Sequence, residues 1–168
     1  AQADQSNLQN IVQRFISDKV DLICAIATPA VQSAANATKD IPIVGTAVTD
    51  YVSAKVVASN DAPGGNVTGT SDLAPIAEQI DLLMQLYPNA KTIGTIYSSS
   101  EINSEIQVKA MTEYAQSKGL TVRTATISTV NDIQQAAQSM VNDVDVFYEP
   151  TDNVIASAIP TLTSITDP

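Results

Sequence analysis

The side chains able to do chemistry in this chain are hydroxyls, amides and carboxylates. Its 168 residues include no His and a single Cys, Cys24. This composition excludes His-based general acid–base catalysis, Ser-His-Asp or Cys-His pairs, and ordinary zinc sites. Cys24 lies in an apolar run over residues 21–27, where we expect a small buried side chain rather than a nucleophile.

Polar residues recur at five places where a predicted strand ends. They are Thr28 after residues 21–27; Thr46, Thr49 and Asp50 around the end of residues 41–47; Ser71 and Asp72 after residues 67–70; the polar run 98–104 after Tyr97; and residues 149–153 after Tyr148. In open α/β sheets, ligands bind in the crevice outside the carboxyl ends of the strands. These ends carry no Lys, Arg, His or Cys. They therefore predict a small polar ligand held by neutral hydrogen bonds and by the N-terminal amides of helices.

Within this set, a carboxylate such as Asp50 or Asp152 suits an ammonium group or sugar hydroxyls. The rings of Tyr97 and Tyr148 suit a planar ligand, although each tyrosine could equally pack under a helix. Ser, Thr, Asp and Asn are also the ordinary helix caps, so each one taken alone is more often a cap than a ligand contact. Asn131 is expected to be such a cap with no further function.

Two other features point away from catalysis and from polyanions. Glu101 and Glu105 lie one turn apart, and we interpret them as a solvated helix face rather than as a catalytic pair. The Gly64-Gly65 pair lacks the spacing of a nucleotide-binding loop. The net charge of −10 and the absence of a Lys/Arg cluster exclude nucleic acid and anionic lipid as expected partners.

Alternating helices and strands must position these residues. Apolar periodicity predicts strands over residues 21–27, 41–47, 67–70, 92–97, 120–127 and 144–148, and helices over 8–16, 30–37, 76–87, 103–117, 131–141 and from 151 onward. Helix starts are predicted at Asp4 or Ser6, at Thr28 with Pro29, and at Asn131 with Asp132. An interruption of the last helical stretch is predicted at Pro160. The alternation predicts parallel sheets with helices on both faces. One doubly wound domain is possible, but we favour two sheets, with residues 1–72 in a first lobe, residues 73–168 in a second, and a crossing near 70–75.

Several segments, taken in order, resemble the substrate-binding proteins of bacterial ABC importers in the TrpX-like group. They include Ala27-Thr28-Pro29-Ala30, Thr46-Ala47-Val48-Thr49-Asp50, residues 63–72, residues 97–104 and Pro150-Thr151-Asp152-Asn153. The resemblance implies an α/β type I periplasmic-binding-protein fold, with two Rossmann-like lobes, a hinge and a ligand in the cleft. Members of the group extend beyond both ends of this sequence, so we expect the chain to be an internal piece with each lobe incomplete.

The resemblance also implies a set of ligand contacts. In the first lobe these are Thr28, Pro29, Ala30, Thr46, Thr49 and Asp50, and in the second lobe Tyr97, Ser98, Ser99, Asn103, Ser104, Thr151, Asp152 and Asn153. It implies no metal and no cofactor.

The function implied is that of a non-enzymatic, extracytoplasmic receptor. It would capture an amino acid, with aromatic Trp, Tyr or Phe expected, and deliver it as a monomer to an ABC permease in the membrane. A signal peptide is expected, with either a periplasmic protein or a cell-surface lipoprotein as the product. The alternatives are a receptor of the same fold for a sugar, nucleoside or branched amino acid, the ligand-sensing domain of a regulator, and an enzyme using carboxylates. For the enzyme we find no phosphate loop, metal triad or nucleophile.

Overall fold

The computed structural model describes residues 4–166, which divide into two compact units between Ala74 and Pro75. We call the residues up to Ala74 unit 1 and those from Pro75 unit 2. Each unit contains a three-stranded sheet whose paired strands are parallel, as the alternating pattern predicts. No helix within residues 4–166 combines the length and apolar character needed to cross a bilayer.

Unit 1 forms a sheet in the order β1-β2-β3. Its elements are α1 (Gln5–Ser17), β1 (Ile23–Ile26), α2 (Thr28–Ala37), β2 (Ile43–Val48) and β3 (Val67–Ser71). The carboxylate of Asp4 accepts a hydrogen bond from the Asn7 backbone N–H at 2.9 Å, which confirms Asp4 as the cap of α1. The core joins strand residues such as Ile23 and Ile43 to Val31 of α2 and Val12 of α1.

The helices of unit 1 cover one face of this sheet. Ile23 and Ala25 are buried, whereas Cys24 and Ile26, which alternate with them, are exposed. The prediction of a buried Cys24 is therefore wrong, and the expected cover on both faces is not found among the described residues of unit 1. An apolar run indicates a strand, but it carries no information on whether a second layer covers it.

Unit 2 forms a sheet in the order β5-β4-β6. Its elements are α3 (Ile76–Leu86), β4 (Thr92–Ser98), α4 (Ile102–Ser117), β5 (Thr121–Ile127), a short 3₁₀ turn (Val130–Asp132), α5 (Ile133–Met140), β6 (Val146–Phe147), α6 (Asn153–Ala156) and α7 (Ile159–Thr166). The side chains of Ile93 and Ile96 point to opposite faces of the central strand β4, and both are fully buried. Both faces of β4 are thus covered.

Two helix starts differ from the prediction. Thr28 is the first residue of α2 rather than its cap; the cap position is Ala27, and no side chain caps this helix. Thr129, not Asn131, caps the turn before α5, in a capping box in which Thr129 and Asp132 bond reciprocally. The prediction at Asn131 is wrong because several hydroxyl, amide and carboxyl side chains lie near that start, and only the backbone path selects one. The prediction at Thr28 is wrong because the helix begins one residue earlier than the Thr-Pro pair indicates, with Ala27 at the cap position.

The break in the last helical stretch also lies elsewhere. Helix α6 ends at Ala156 and α7 begins at Ile159, so Pro160 lies in the first turn of α7 instead of interrupting a helix. A proline is tolerated in a first turn because the N–H it lacks would have no intrahelical partner there.

Candidate functional site

The carboxyl edge of the unit 1 sheet contains two residues with strained backbone. Ala27, directly after β1, has φ 74° and ψ 155°, and Ala47 in β2 has φ 54°. A residue with a Cβ rarely adopts such backbone angles, and each residue that does so costs on the order of 1–3 kcal/mol of conformational strain. Residues held in this way cluster at ligand sites, so both positions point to this edge.

The predicted site residues of unit 1 gather at the same edge. Thr28 and Thr49 are both buried, and the Ser71 hydroxyl donates to the Thr49 carbonyl at 2.8 Å. The exposed Thr46 places its Oγ1 3.4 Å from Oγ1 of Thr70 on β3. This part of the edge is built from hydroxyls and backbone groups.

The other predicted residues of unit 1 lie beside these. Pro29 is buried and Ala30 half-buried in the first turn of α2. Asp50 is half-buried, and its carboxylate accepts a hydrogen bond from the Ser53 backbone N–H. The Asp50 carboxylate therefore stabilises the turn over residues 50–53.

In unit 2, Asp152 lies at the centre of a hydrogen-bond network. Oδ1 accepts from the backbone N–H groups of Val154 and Ile155 at 2.9 and 3.0 Å, which makes Asp152 the N-cap of α6. Oδ2 accepts from the Ser98 N–H and from the Ser104 hydroxyl, both at 2.7 Å. Four hydrogen bonds occupy the usual acceptor positions of a carboxylate, so Asp152 joins β4, α4 and α6.

Glu101 forms a second centre that the sequence reasoning missed. It is 3% exposed, and its Oε2 accepts from the side-chain amides of Asn103 and Asn153 at 2.9 and 2.7 Å and from the Asn153 N–H at 3.1 Å. The interpretation of Glu101 as part of a solvated face is therefore wrong, whereas Glu105 is exposed. The signal that could have found it is its position in the polar run directly after β4.

Asn103 and Gln107 connect α4 to the loop after β6. The Asn103 amide donates to the Thr151 carbonyl at 2.9 Å, and the Thr151 N–H donates to Gln107 Oε1 at 3.2 Å. Gln107 was missed because it lies one turn into α4, beyond the polar run at the strand end. Oδ1 of Asn103 is buried and has no hydrogen-bond partner within residues 4–166.

The remaining predicted residues of unit 2 lie around this network. The Ser99 hydroxyl donates to the Ile127 carbonyl at 3.2 Å, and Tyr97 is half-buried at the end of β4. The hydroxyl of Tyr148 donates to Gln79 Oε1 on α3 at 2.8 Å, and burial raises the pKa of this phenol. Tyr148 thus packs against a helix, which is the alternative weighed for it.

Glu149 is the least satisfied polar side chain of the loop after β6. Both carboxylate oxygens are buried, and neither accepts a hydrogen bond from the residues the structure describes. Burial raises the pKa of Glu149 to about 8; the nearby Ile96 amide lowers it by less, and the negative charge of Asp152 raises it further. No group of three or more potential metal ligands occurs between residues 4 and 166.

Comparison with known proteins gives consistent similarities. The chain is 49% identical over 165 residues to a tyrosine-binding protein of Clostridioides difficile (strain R20291), covering 98% of this chain and 48% of that protein. A crystal structure of an ABC domain from Streptococcus pneumonia in complex with L-Trp matches at 43% identity and a TM-score of 0.95, covering 98% of this chain and 56% of that one. A conserved domain protein from Vibrio cholerae matches at 36% identity with a TM-score of 0.95, covering 98% and 55%.

The chain therefore spans about half the length of the relatives it matches. The predicted α/β fold of the type I periplasmic-binding-protein class is confirmed. The family described as ABC transporter substrate binding protein matches residues 1–167. The chain belongs to this family of ABC transporter substrate-binding proteins.

Proposed function

We propose that this protein binds an aromatic amino acid, without transforming it, for import by an ABC transporter. The observation that carries the proposal is the buried network of unit 2, which holds the polar side chains of Asn103 and Ser104 at the carboxyl end of β4. The relatives named for tyrosine and solved with L-Trp support an aromatic ligand.

Each carboxyl edge offers chemistry that suits one half of a zwitterion. In unit 1, the α2 N-terminus without a side-chain cap and the hydroxyls of Thr28 and Thr49 suit a carboxylate. In unit 2, the oxygens of Asn103, Ser104 and Thr151 suit the donors of an ammonium group. The half-buried ring of Tyr97 suits the aromatic part of the ligand.

Fourteen residues make up the proposed site. They are Thr28, Pro29, Ala30, Thr46, Thr49, Asp50, Tyr97, Ser98, Ser99, Asn103, Ser104, Thr151, Asp152 and Asn153. Because Asp152 already accepts four hydrogen bonds, we assign it to positioning Ser98 and Ser104 rather than to the ligand itself. We add Glu101 and Gln107 as positioning residues for Asn103 and Thr151.

The family supports the wider assignment. We propose that residues 1–72 and 73–168 belong to two lobes of a monomeric receptor that delivers its ligand to a membrane permease. We also propose an extracytoplasmic location that is reached through a signal peptide. The product is either a cell-surface lipoprotein or a periplasmic protein. Membership in a substrate-binding family supports both statements.

The test is isothermal titration of the full-length protein with L-Tyr, L-Trp and L-Phe. We expect saturable binding of at least one of them, and none of glucose, adenosine or L-Leu. Asn103→Ala removes a buried amide held by the network and is expected to weaken binding about tenfold or more. The matched control, Asn131→Ala, changes an exposed amide outside the proposed site and should leave the affinity unchanged. Absence of binding by all three aromatic amino acids would contradict the proposal.

A further inference from the structure

Glu149 is half-buried and differs from the buried carboxylates Asp152 and Glu101 at the same edge. Asp152 and Glu101 are bound by backbone and side-chain donors, whereas both oxygens of Glu149 are buried without a hydrogen bond from residues 4–166. A buried ionised carboxylate without a partner is costly, so this side chain either carries a proton or awaits a donor.

No basic side chain of unit 2 supplies that donor. Lys118 pairs with Asp81 and Arg123 with Asp143, while Lys91 and Lys109 are exposed. The groups acting on Glu149 are the Ile96 amide of β4 and the carboxylate of Asp152. The neighbouring Tyr148 hydroxyl is bonded to Gln79, and Glu101 is occupied by Asn103 and Asn153. Within the described residues of unit 2, Glu149 thus has no cationic partner, and a cationic ligand would supply one.

A second unpartnered acceptor belongs to the hydrogen-bond network of Glu101 and Asp152. Asn103 is 4% exposed, and its amide nitrogen is fixed by the carbonyl of Thr151, two residues after Glu149. This bond leaves its buried Oδ1 without a partner. Two carboxylate oxygens and one amide oxygen suit a primary ammonium group, which has three N–H donors.

We propose that Glu149, together with Asn103, receives the ammonium group of the bound amino acid and releases its own proton to solvent on binding. This inference rests on the function proposed above. In the free protein at neutral pH the carboxyl is protonated, and in the complex it is a carboxylate paired with R–NH₃⁺. One proton leaves for each ligand bound, and no other bond is made or broken.

The release of a proton ties affinity to pH. Burial raises the pKa of Glu149 to about 8. At pH 7 the carboxyl therefore has to lose a proton before it can pair with a cation, and this loss costs binding free energy. Affinity for an amino acid then increases with pH by up to about tenfold per pH unit below pH 8. A ligand that lacks the amino group brings no positive charge to pair with the carboxylate, so Glu149 keeps its proton. The affinity for such a ligand should not show this increase.

The experiment is titration calorimetry of the full-length protein with L-Tyr at pH 6, 7 and 8, in two buffers of different ionisation enthalpy. At pH 7 we expect release of close to one proton per L-Tyr, and binding about tenfold or more tighter at pH 8 than at pH 6. The analogue 3-(4-hydroxyphenyl)propanoate, which lacks the amino group, should release none. Glu149→Gln should abolish proton release and lower the affinity for L-Tyr about tenfold or more, whereas its affinity for the analogue should match that of the wild type. Glu105→Gln, an exposed carboxylate on α4, is the matched control and should behave as the wild type.

The outcomes separate the two proposals. Binding of L-Tyr by the wild type without proton release and without dependence on pH overturns the role of Glu149 and leaves the proposed function standing. Absence of binding by any aromatic amino acid overturns the proposed function, and this inference with it. If circular dichroism shows that Glu149→Gln is unfolded, the two-buffer measurement on the wild type decides alone.

Discussion

The two units hold their carboxyl edges together by different means. In unit 1 the edge depends on the backbone: Ala27 and Ala47 adopt positive φ, and β2 and β3 approach so closely that a Cβ at Gly69 would lie 2.1 Å from the Gly45 carbonyl oxygen. In unit 2 the edge depends on buried side chains, with Asp152 and Glu101 accepting seven hydrogen bonds between them. Similar parallel sheets thus present polar groups through strain in one case and through buried carboxylates in the other.

This difference has a physical consequence. A backbone-built edge offers amides and hydroxyls whose charge does not change between pH 5 and pH 9. A carboxylate-built edge carries charge out of water, so its stability depends on hydrogen-bond saturation and, at Glu149, on pH. Substitutions that alter one edge should therefore have effects of a different kind from those that alter the other.

The largest expected effect is that of Asp152→Ala in unit 2. The substitution leaves three backbone N–H groups, those of Ser98, Val154 and Ile155, without their acceptor, and it removes the partner of the Ser104 hydroxyl. We expect the free energy of unfolding to fall by about 4 kcal/mol, measured by urea denaturation. Asp132→Ala removes the exposed carboxylate partner of Thr129 in the capping box before α5 and should cost only about 1 kcal/mol. Equal losses for the two variants would show that the buried hydrogen bonds of Asp152 stabilise unit 2 no more than the exposed ones of Asp132 do.

An intermediate effect is expected at Glu149 and depends on pH. Below its unfolded pKa of 4.5, the carboxyl is protonated in both states and costs nothing. Between pH 4.5 and 8 the folded state retains the proton that the unfolded state loses, so stability decreases as the pH rises through this window. Relative to Glu149→Gln, the wild type should lose on the order of 3 kcal/mol from pH 4.5 to pH 8.5, followed by urea denaturation at each pH. A constant difference between the two proteins would show that Glu149 is already solvated or paired.

The smallest expected effect is a gain, at the strained position of unit 1. Ala27→Gly removes the Cβ that opposes φ 74°, at the cost of a more flexible unfolded chain. We expect stabilisation by about 0.5–1 kcal/mol, measured as a rise in the thermal unfolding midpoint. Ala25→Gly, two residues earlier in β1 and buried, is the control and should destabilise by about 1 kcal/mol or more. If both glycines destabilise alike, the edge of unit 1 is not held under strain.

Local patterns predicted most of the fold. The apolar stripe of α1, its cap at Asp4, and the six strands follow from periodicity and capping chemistry acting over a few residues. The errors occurred where neighbouring residues offered equivalent chemistry, as at Thr129 and Asn131, or where burial depended on distant layers, as at Cys24 and Glu101.

The sequence by itself determined the order of the elements, the polar character of their carboxyl ends, and the absence of His-based chemistry anywhere in the chain. Only the tertiary structure decided which of those polar groups are already bound and which are free. The reason is that hydrogen-bond saturation is set by residues far apart in sequence: Asp152 is satisfied by Ser98 and Ser104, about fifty positions earlier. Glu149 lies three residues before Asp152 in the same loop, and its two buried carboxylate oxygens have no such partners within residues 4–166.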